Sequence, residues 1–200
     1  MEVRNYVQAN GRRDFDREDY DKYDGPGKNF AYHLLKWLEK FQPELLKTLF
    51  GNYRNIEFKI VERKSYGDIL VVTDGFIQLC EVEARPDHHF KGNFYELGTY
   101  KTGINVPQKD NIKTSNGIFL SINGDDAINF MNATSDETIP DSFIIIKTTN
   151  IVQCPLEPPQ TKDGLIDKKN NDYKYKVPHS MAIKFGWDSE KYAEFKKWLQ

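Results

Sequence analysis

The chain has little of what would set it outside the ordinary globular class. Its two cysteines, Cys80 and Cys154, each sit beside apolar residues. Two thiols without a secretory leader read as reduced core residues rather than as a disulfide. No run approaches the roughly 18 consecutive apolar residues of a membrane span, and the N-terminus lacks the apolar stretch of a signal peptide. The expectation is therefore a soluble cytoplasmic protein with no membrane partner. A strong charge of one sign is also missing, since the formal net charge is −2. Dedicated non-specific nucleic-acid binders are usually strongly basic, so such a role here requires a local basic patch. What the chain does have is aliphatic and aromatic side chain, 38% of 200 residues, enough for the core of one domain of ordinary size.

Residues 1–28 are polar and dense in alternating charge, from Arg12-Arg13-Asp14 to Gly25-Pro26-Gly27, and read as a mobile, charged N-terminal arm. Residues 29–200 read as a single domain. Phe30, Leu34, Leu38, Phe41, Leu45 and Leu49 recur at spacings of three and four, one apolar helical stripe. Pro43 is expected to kink that helix or open a second one, and Gly51 to end it. Ile56, Phe58 and Ile60 alternate with Glu57 and Lys59 as a half-buried strand. Further strands are expected at Ile118 to Ile122, Ala127 to Met131, Ser142 to Thr149 and Tyr173 to Phe185, the last interrupted at Pro178. Residues 152–172 read as a long surface loop, and Asp188 or Ser189 as the cap of a final helix. The order of elements indicates an α+β (mixed α/β) fold.

The most informative stretch is Ser65 to Glu83. Two apolar runs flank Asp74-Gly75, the strongest short-range signal for a hairpin with a two-residue type I′ turn. That turn sets Thr73 opposite Phe76, Val72 opposite Ile77 and Leu70 opposite Leu79. Continued outward, the same register sets Asp68 opposite Glu81, with Glu83 on that face two residues on. Three carboxylates at one end of an apolar face are costly unless compensated. A hard divalent cation, Mg²⁺ or Mn²⁺, is the simplest compensation, so Asp68, Glu81 and Glu83 are the candidate metal ligands and catalytic residues. The segment after β-strand residues 81–83 is locally basic, with Arg85, Lys91, Lys101, Lys109 and Lys113 interleaved with Phe90, Phe94, Tyr95 and Tyr100. Such a segment suits nucleic-acid binding, with the rings available to stack on bases. His88-His89, His33 and Glu39 read as secondary candidates.

Gly67-Asp68 on one strand and Glu81-Val82-Glu83 on the next resemble the PD-(D/E)xK nuclease superfamily. In that family a helix precedes a three-stranded meander, the first acid lies on the second strand, and an acidic-x-Lys pair lies on the third. Glu83 stands where the family has lysine, a departure that some restriction enzymes share. The resemblance spans roughly residues 29–131. It implies a restriction-endonuclease-like central mixed sheet flanked by helices and Mg²⁺-dependent hydrolysis of DNA phosphodiesters. It also implies that a second metal or a lysine from the following segment does the work of the missing lysine, and a homodimer as one assembly such enzymes often adopt. Two other readings use the same residues. One is a non-catalytic member of that fold that binds DNA or a protein; the other is an unrelated α+β interaction protein whose acids hold a structural cation.

Overall fold

The computed structural model of the chain describes residues 17–61, 68–85, 104–107, 117–131, 143–158, 163–168, 174–185 and 197. It is an α+β protein built on a six-stranded mixed sheet. Helix α1 (Arg17–Phe41) and helix α2 (Pro43–Phe50) come first. The meander β1 (Ile56–Ile60), β2 (Ile69–Thr73) and β3 (Phe76–Arg85) follows. Then come β4 (Ile104–Pro107), β5 (Ile118–Asn123), helix α3 (Gly124–Met131), β6 (Phe143–Lys147) and the short helix α4 (Thr148–Ile151). The last elements are β7 (Leu156–Glu157), β8 (Lys174–Val177), a 3-10 turn at His179–Met181 and β9 (Ile183–Phe185).

The large sheet runs β1-β2-β3-β5-β6-β9, and β4-β8-β7 form a smaller sheet. All neighbours in the large sheet are antiparallel except β3 and β5, which run parallel. One face of the large sheet packs on the helices. Phe30, Leu34, Leu35, Trp37 and Leu38 of α1 bury there against Phe58, Ile69, Val71, Cys80, Ile118, Leu120, Ile122 and Ile145. The Phe30 ring meets Phe130 of α3 edge-on at 5.3 Å and Phe143 of β6 at 5.2 Å, ring geometries that add to simple burial. On the opposite face Phe119, Ile144 and Ile146 bury with Ile151, Cys154, Tyr175 and Val177. Strands β5 and β6 are thus covered on both sides, which is why they read as near-continuous apolar runs, interrupted in β5 by Ser121. Among the described residues no helix is long and apolar enough to cross a membrane.

The hairpin register is the one its turn dictates. Asp74 (φ 44°) and Gly75 (φ 91°) both take positive φ, as a type I′ turn requires. Thr73 pairs with Phe76, Val72 with Ile77 and Leu70 with Leu79. Asp74 also caps the entry to β1, its carboxylate accepting from the backbone N–H of Arg54 (2.7 Å) and Asn55 (3.1 Å). Pro43 opens α2 at its first turn, and Gly51 closes it at φ 85° with its N–H on the Lys47 carbonyl. Phe41 leaves the expected apolar stripe, being exposed at the end of α1.

Two expectations are corrected. Residues 17–28 are not a mobile arm but the first turns of α1, with Tyr23 and Lys28 buried. Gly25-Pro26-Gly27 has poor intrinsic helix propensity, yet packing overrides it. A Cβ at Gly27 would come within 2.7 Å of the Ala84 Cβ, so only glycine lets α1 lie this close to β3. Second, Ala127 to Met131 belong to helix α3, not to a strand. Asn123-Gly124-Asp125-Asp126 is a helix start rather than a turn between strands. The Asn123 side chain accepts from the Asp126 N–H at 3.0 Å, an N-cap bond, and Asp125 and Asp126 suit the positive end of the helix dipole. The final helix expected from Asp188 or Ser189 lies outside the described residues, save Lys197.

Candidate functional site

The candidate site lies where β3 outruns β2. The ladder between them ends at Ile69–Cys80, while β3 continues to Arg85 beside β5. At the next step along β3, the Val82 N–H points toward the space β2 has left. It donates instead to the side chain of Asp68, at 2.7 Å from Oδ2. Asp68 stays tied to β1 through its own carbonyl, which accepts from the Val61 N–H at 2.9 Å. Its carboxylate therefore replaces a missing strand bond, on the peptide that links Glu81 to Val82.

The other Asp68 oxygen faces α1. Lys28 Nζ lies 3.3 Å from Asp68 Oδ1 and 2.8 Å from Asp24 Oδ2, one turn earlier on the same helix. The lysine side chain is 7% exposed and that of Asp68 is 11% exposed. Burial, the largest influence, pulls the Lys28 ammonium toward neutrality. The Asp24 hydrogen bond and the Asp68 charge together outweigh it, so its pKa ends above the ordinary lysine value. Lys28 is thus a fixed cation, held between two carboxylates. Nearby, burial pushes the Cys80 thiol well above its usual range, and the neighbouring Asp68 and Glu81 charges push in the same direction. Cys80 is accordingly an inert core thiol.

Glu81 and Glu83 rise from the face of β3 that looks away from α1, since Cys80, Val82 and Ala84 pack into the helix-side core and side chains alternate. Glu81 is buried and Glu83 half-buried. Their neighbours on β5 are Phe119 and Ser121, and Ser121 is also buried. Asp68 stands just before β2 begins, and its carboxylate lies between the Val82 N–H and Lys28. Among the described residues no three His, Cys, Asp or Glu side chains are grouped to hold a metal ion, so the expected three-acid cluster is not gathered. The donor chemistry still fits Mg²⁺, which takes one or two carboxylates and completes its shell with water and phosphate oxygens. The Asp68 carboxylate bonds the peptide that follows Glu81.

Arg85 closes β3 beside Asn123 of β5. Lys91, Lys101, Lys109 and Lys113 lie outside the described residues, as do His88 and His89. His33 packs rather than ligates, its ring edge-on to Tyr32 (5.9 Å) and to Phe130 (5.6 Å). Glu39 pairs with Lys36 at 3.0 Å, eleven residues from Lys28 and so roughly 16 Å further along the helix. The residues that sequence reasoning missed are Asp24 and Lys28. The signal was there: Tyr23 and Gly27 extend the stripe of Phe30, Leu34 and Leu38 backward, and Asp24 and Lys28 have the i,i+4 spacing of a helical ion pair. A comparison with protein-family models, characterised proteins and solved structures finds no match to this chain.

Proposed function

We propose that the chain is a metal-dependent nuclease that hydrolyses phosphodiester bonds in DNA, of the PD-(D/E)xK kind that its sequence resembles. One observation carries this reading. Lys28 of α1 pairs with Asp68 at the very peptide that joins Glu81 to the rest of β3. The family sets a lysine beside its acids, and Lys28 from the preceding helix would take that role, in place of the position of Glu83 and of the lysines expected from the following segment. Asp68 and Glu81 would hold Mg²⁺ or Mn²⁺. When bound, such an ion supplies Lewis acidity toward a phosphate and lowers the pKa of coordinated water. Lys28 stays protonated, so it acts as a donor and as a positive charge and not as a base. Glu83, less buried and on the Glu81 face, is the group that orients or deprotonates the attacking water. Arg85, Lys91, Lys101, Lys109 and Lys113 would carry the DNA backbone.

The test is a cleavage assay on single- and double-stranded DNA with Mg²⁺ or Mn²⁺, run beside a binding titration. Glu81→Gln is expected to abolish metal binding and cutting. Glu83→Gln is expected to abolish cutting while DNA binding holds or tightens, because one repulsive charge is gone. A wild-type protein that neither binds Mn²⁺ nor cuts refutes the proposal. One observation favours a second reading, a non-catalytic binding module of the same fold: both oxygens of Asp68 already meet protein donors. On that reading DNA still binds, but no divalent ion alters the binding.

A further inference from the structure

We propose that β1 is the seam of a homodimer, in which two copies pair antiparallel along this edge strand about a two-fold axis at Phe58. The two six-stranded sheets then become one. The inference rests on the edge itself and is independent of the nuclease reading.

Strand β1 ends the large sheet among the described residues. Its backbone direction follows from one bond. The Val61 N–H donates to the Asp68 carbonyl at 2.9 Å, so Val61 and Asp68 form a narrow, hydrogen-bonded pair. Such pairs alternate along an antiparallel ladder, so Lys59 and Glu57 also turn their N–H and C=O groups toward β2. The N–H and C=O groups of Ile56, Phe58 and Ile60 therefore face outward. A two-fold axis at Phe58 makes each of them one half of a narrow pair: Phe58 with the partner's Phe58, Ile56 with the partner's Ile60, and Ile60 with the partner's Ile56.

The side chains match that register and no adjacent one. Glu57 and Lys59 are on the face away from α1, 59% and 56% exposed, and 3.2 Å apart within one chain. In the dimer each stands opposite its counterion, Glu57 against the partner's Lys59, at a wide pair where side chains approach closest. A shift by two residues one way sets Glu57 opposite the partner's Glu57; the other way sets Lys59 opposite the partner's Lys59. Like charges directly opposite are destabilising, so the charges select a single register. On the helix side Ile60, 44% exposed in the single chain, gains the partner's Ile56 as cover. Lysine on an edge strand usually discourages pairing; here Glu57 turns that lysine into half of a self-complementary pair.

The experiment measures the oligomeric state of the full chain by sedimentation equilibrium. Wild type is expected to dimerise. Glu57→Lys and Lys59→Glu each create like-charge pairs on both sides of the axis and should each weaken the dimer by about tenfold or more. Mixing the two variants restores opposite charges at every pair and should return the dissociation constant to within about threefold of wild type. Thermal melts of the variants check that each still folds. A wild-type chain that stays monomeric up to its solubility limit, or a dimer indifferent to both reversals, overturns the proposal. So does a variant mixture no tighter than its components.

Discussion

Replacing Lys28 with methionine probes the centre of the candidate site most directly. The substitution keeps much of the side-chain volume on α1 but removes the ammonium that lies between Asp24 and Asp68. Truncating one member of a buried ion pair costs about 3–5 kcal/mol, because the remaining charge stays desolvated. Asp24 is a quarter exposed and can regain water, whereas Asp68 cannot, so the lower figure of about 3 kcal/mol applies. For a chain of this length each kcal/mol shifts the melting temperature by about 2–4 °C, so the midpoint should fall by about 6–12 °C. The assay is thermal unfolding followed by circular dichroism at neutral pH with a chelator present. Adding Asp68→Asn to Lys28→Met should recover about half of the loss, since the amide oxygen still accepts from the Val82 N–H but no charge is left buried. A single variant that melts within about 2 °C of wild type refutes this reasoning, because it would mean that the ammonium is solvated and not buried.

Four further outcomes are expected. Gly117→Ala should cost about 3 kcal/mol or more in urea unfolding, because its Cβ would overlap the Leu79 carbonyl oxygen in the adjacent strand and backbone cannot yield. Gly25→Ala, with open space at its Cβ, should instead stabilise α1 by up to about 1 kcal/mol. Gly75→Ala should destabilise by about 1–2 kcal/mol through its positive φ, read as a lower urea midpoint with an unchanged slope. The last concerns acid. Burial lowers the His33 pKa below its ordinary value of 6.5, so the unfolded chain binds this proton more readily than the folded one. The stability it contributes is present above pH 6.5 and lost as pH falls through the folded value. His33→Phe should narrow the difference between melts at acid and neutral pH.

Much of the fold follows from local sequence alone. Asp74-Gly75 can form a tight type I′ turn because aspartate tolerates positive φ and glycine adopts it freely, and once that turn is set every pair from Thr73–Phe76 to Leu70–Leu79 is set with it. Pro43 and Gly51 bound α2 through backbone chemistry that needs no distant partner. Alternation in Ile56 to Ile60 and the near-continuous apolar runs of β5 and β6 carry their burial in their pattern. Other features depend on contacts far apart in the chain. Gly25-Pro26-Gly27 looks like the end of an arm until Ala84 is seen to demand a residue without a Cβ at position 27. Ala127 to Met131 is too short an apolar run for its period to separate helix from strand, and the Asn123 cap decides it. The position of Asp68 is the sharpest case. The hairpin register extends to it, but the pairing of β2 with β3 stops one residue short, and its carboxylate bonds partners that no local pattern names. Val82 and Lys28, fourteen and forty residues away, are those partners. The sequence determined which acids stand near β3; only the tertiary structure decided that a lysine from the first helix stands with them.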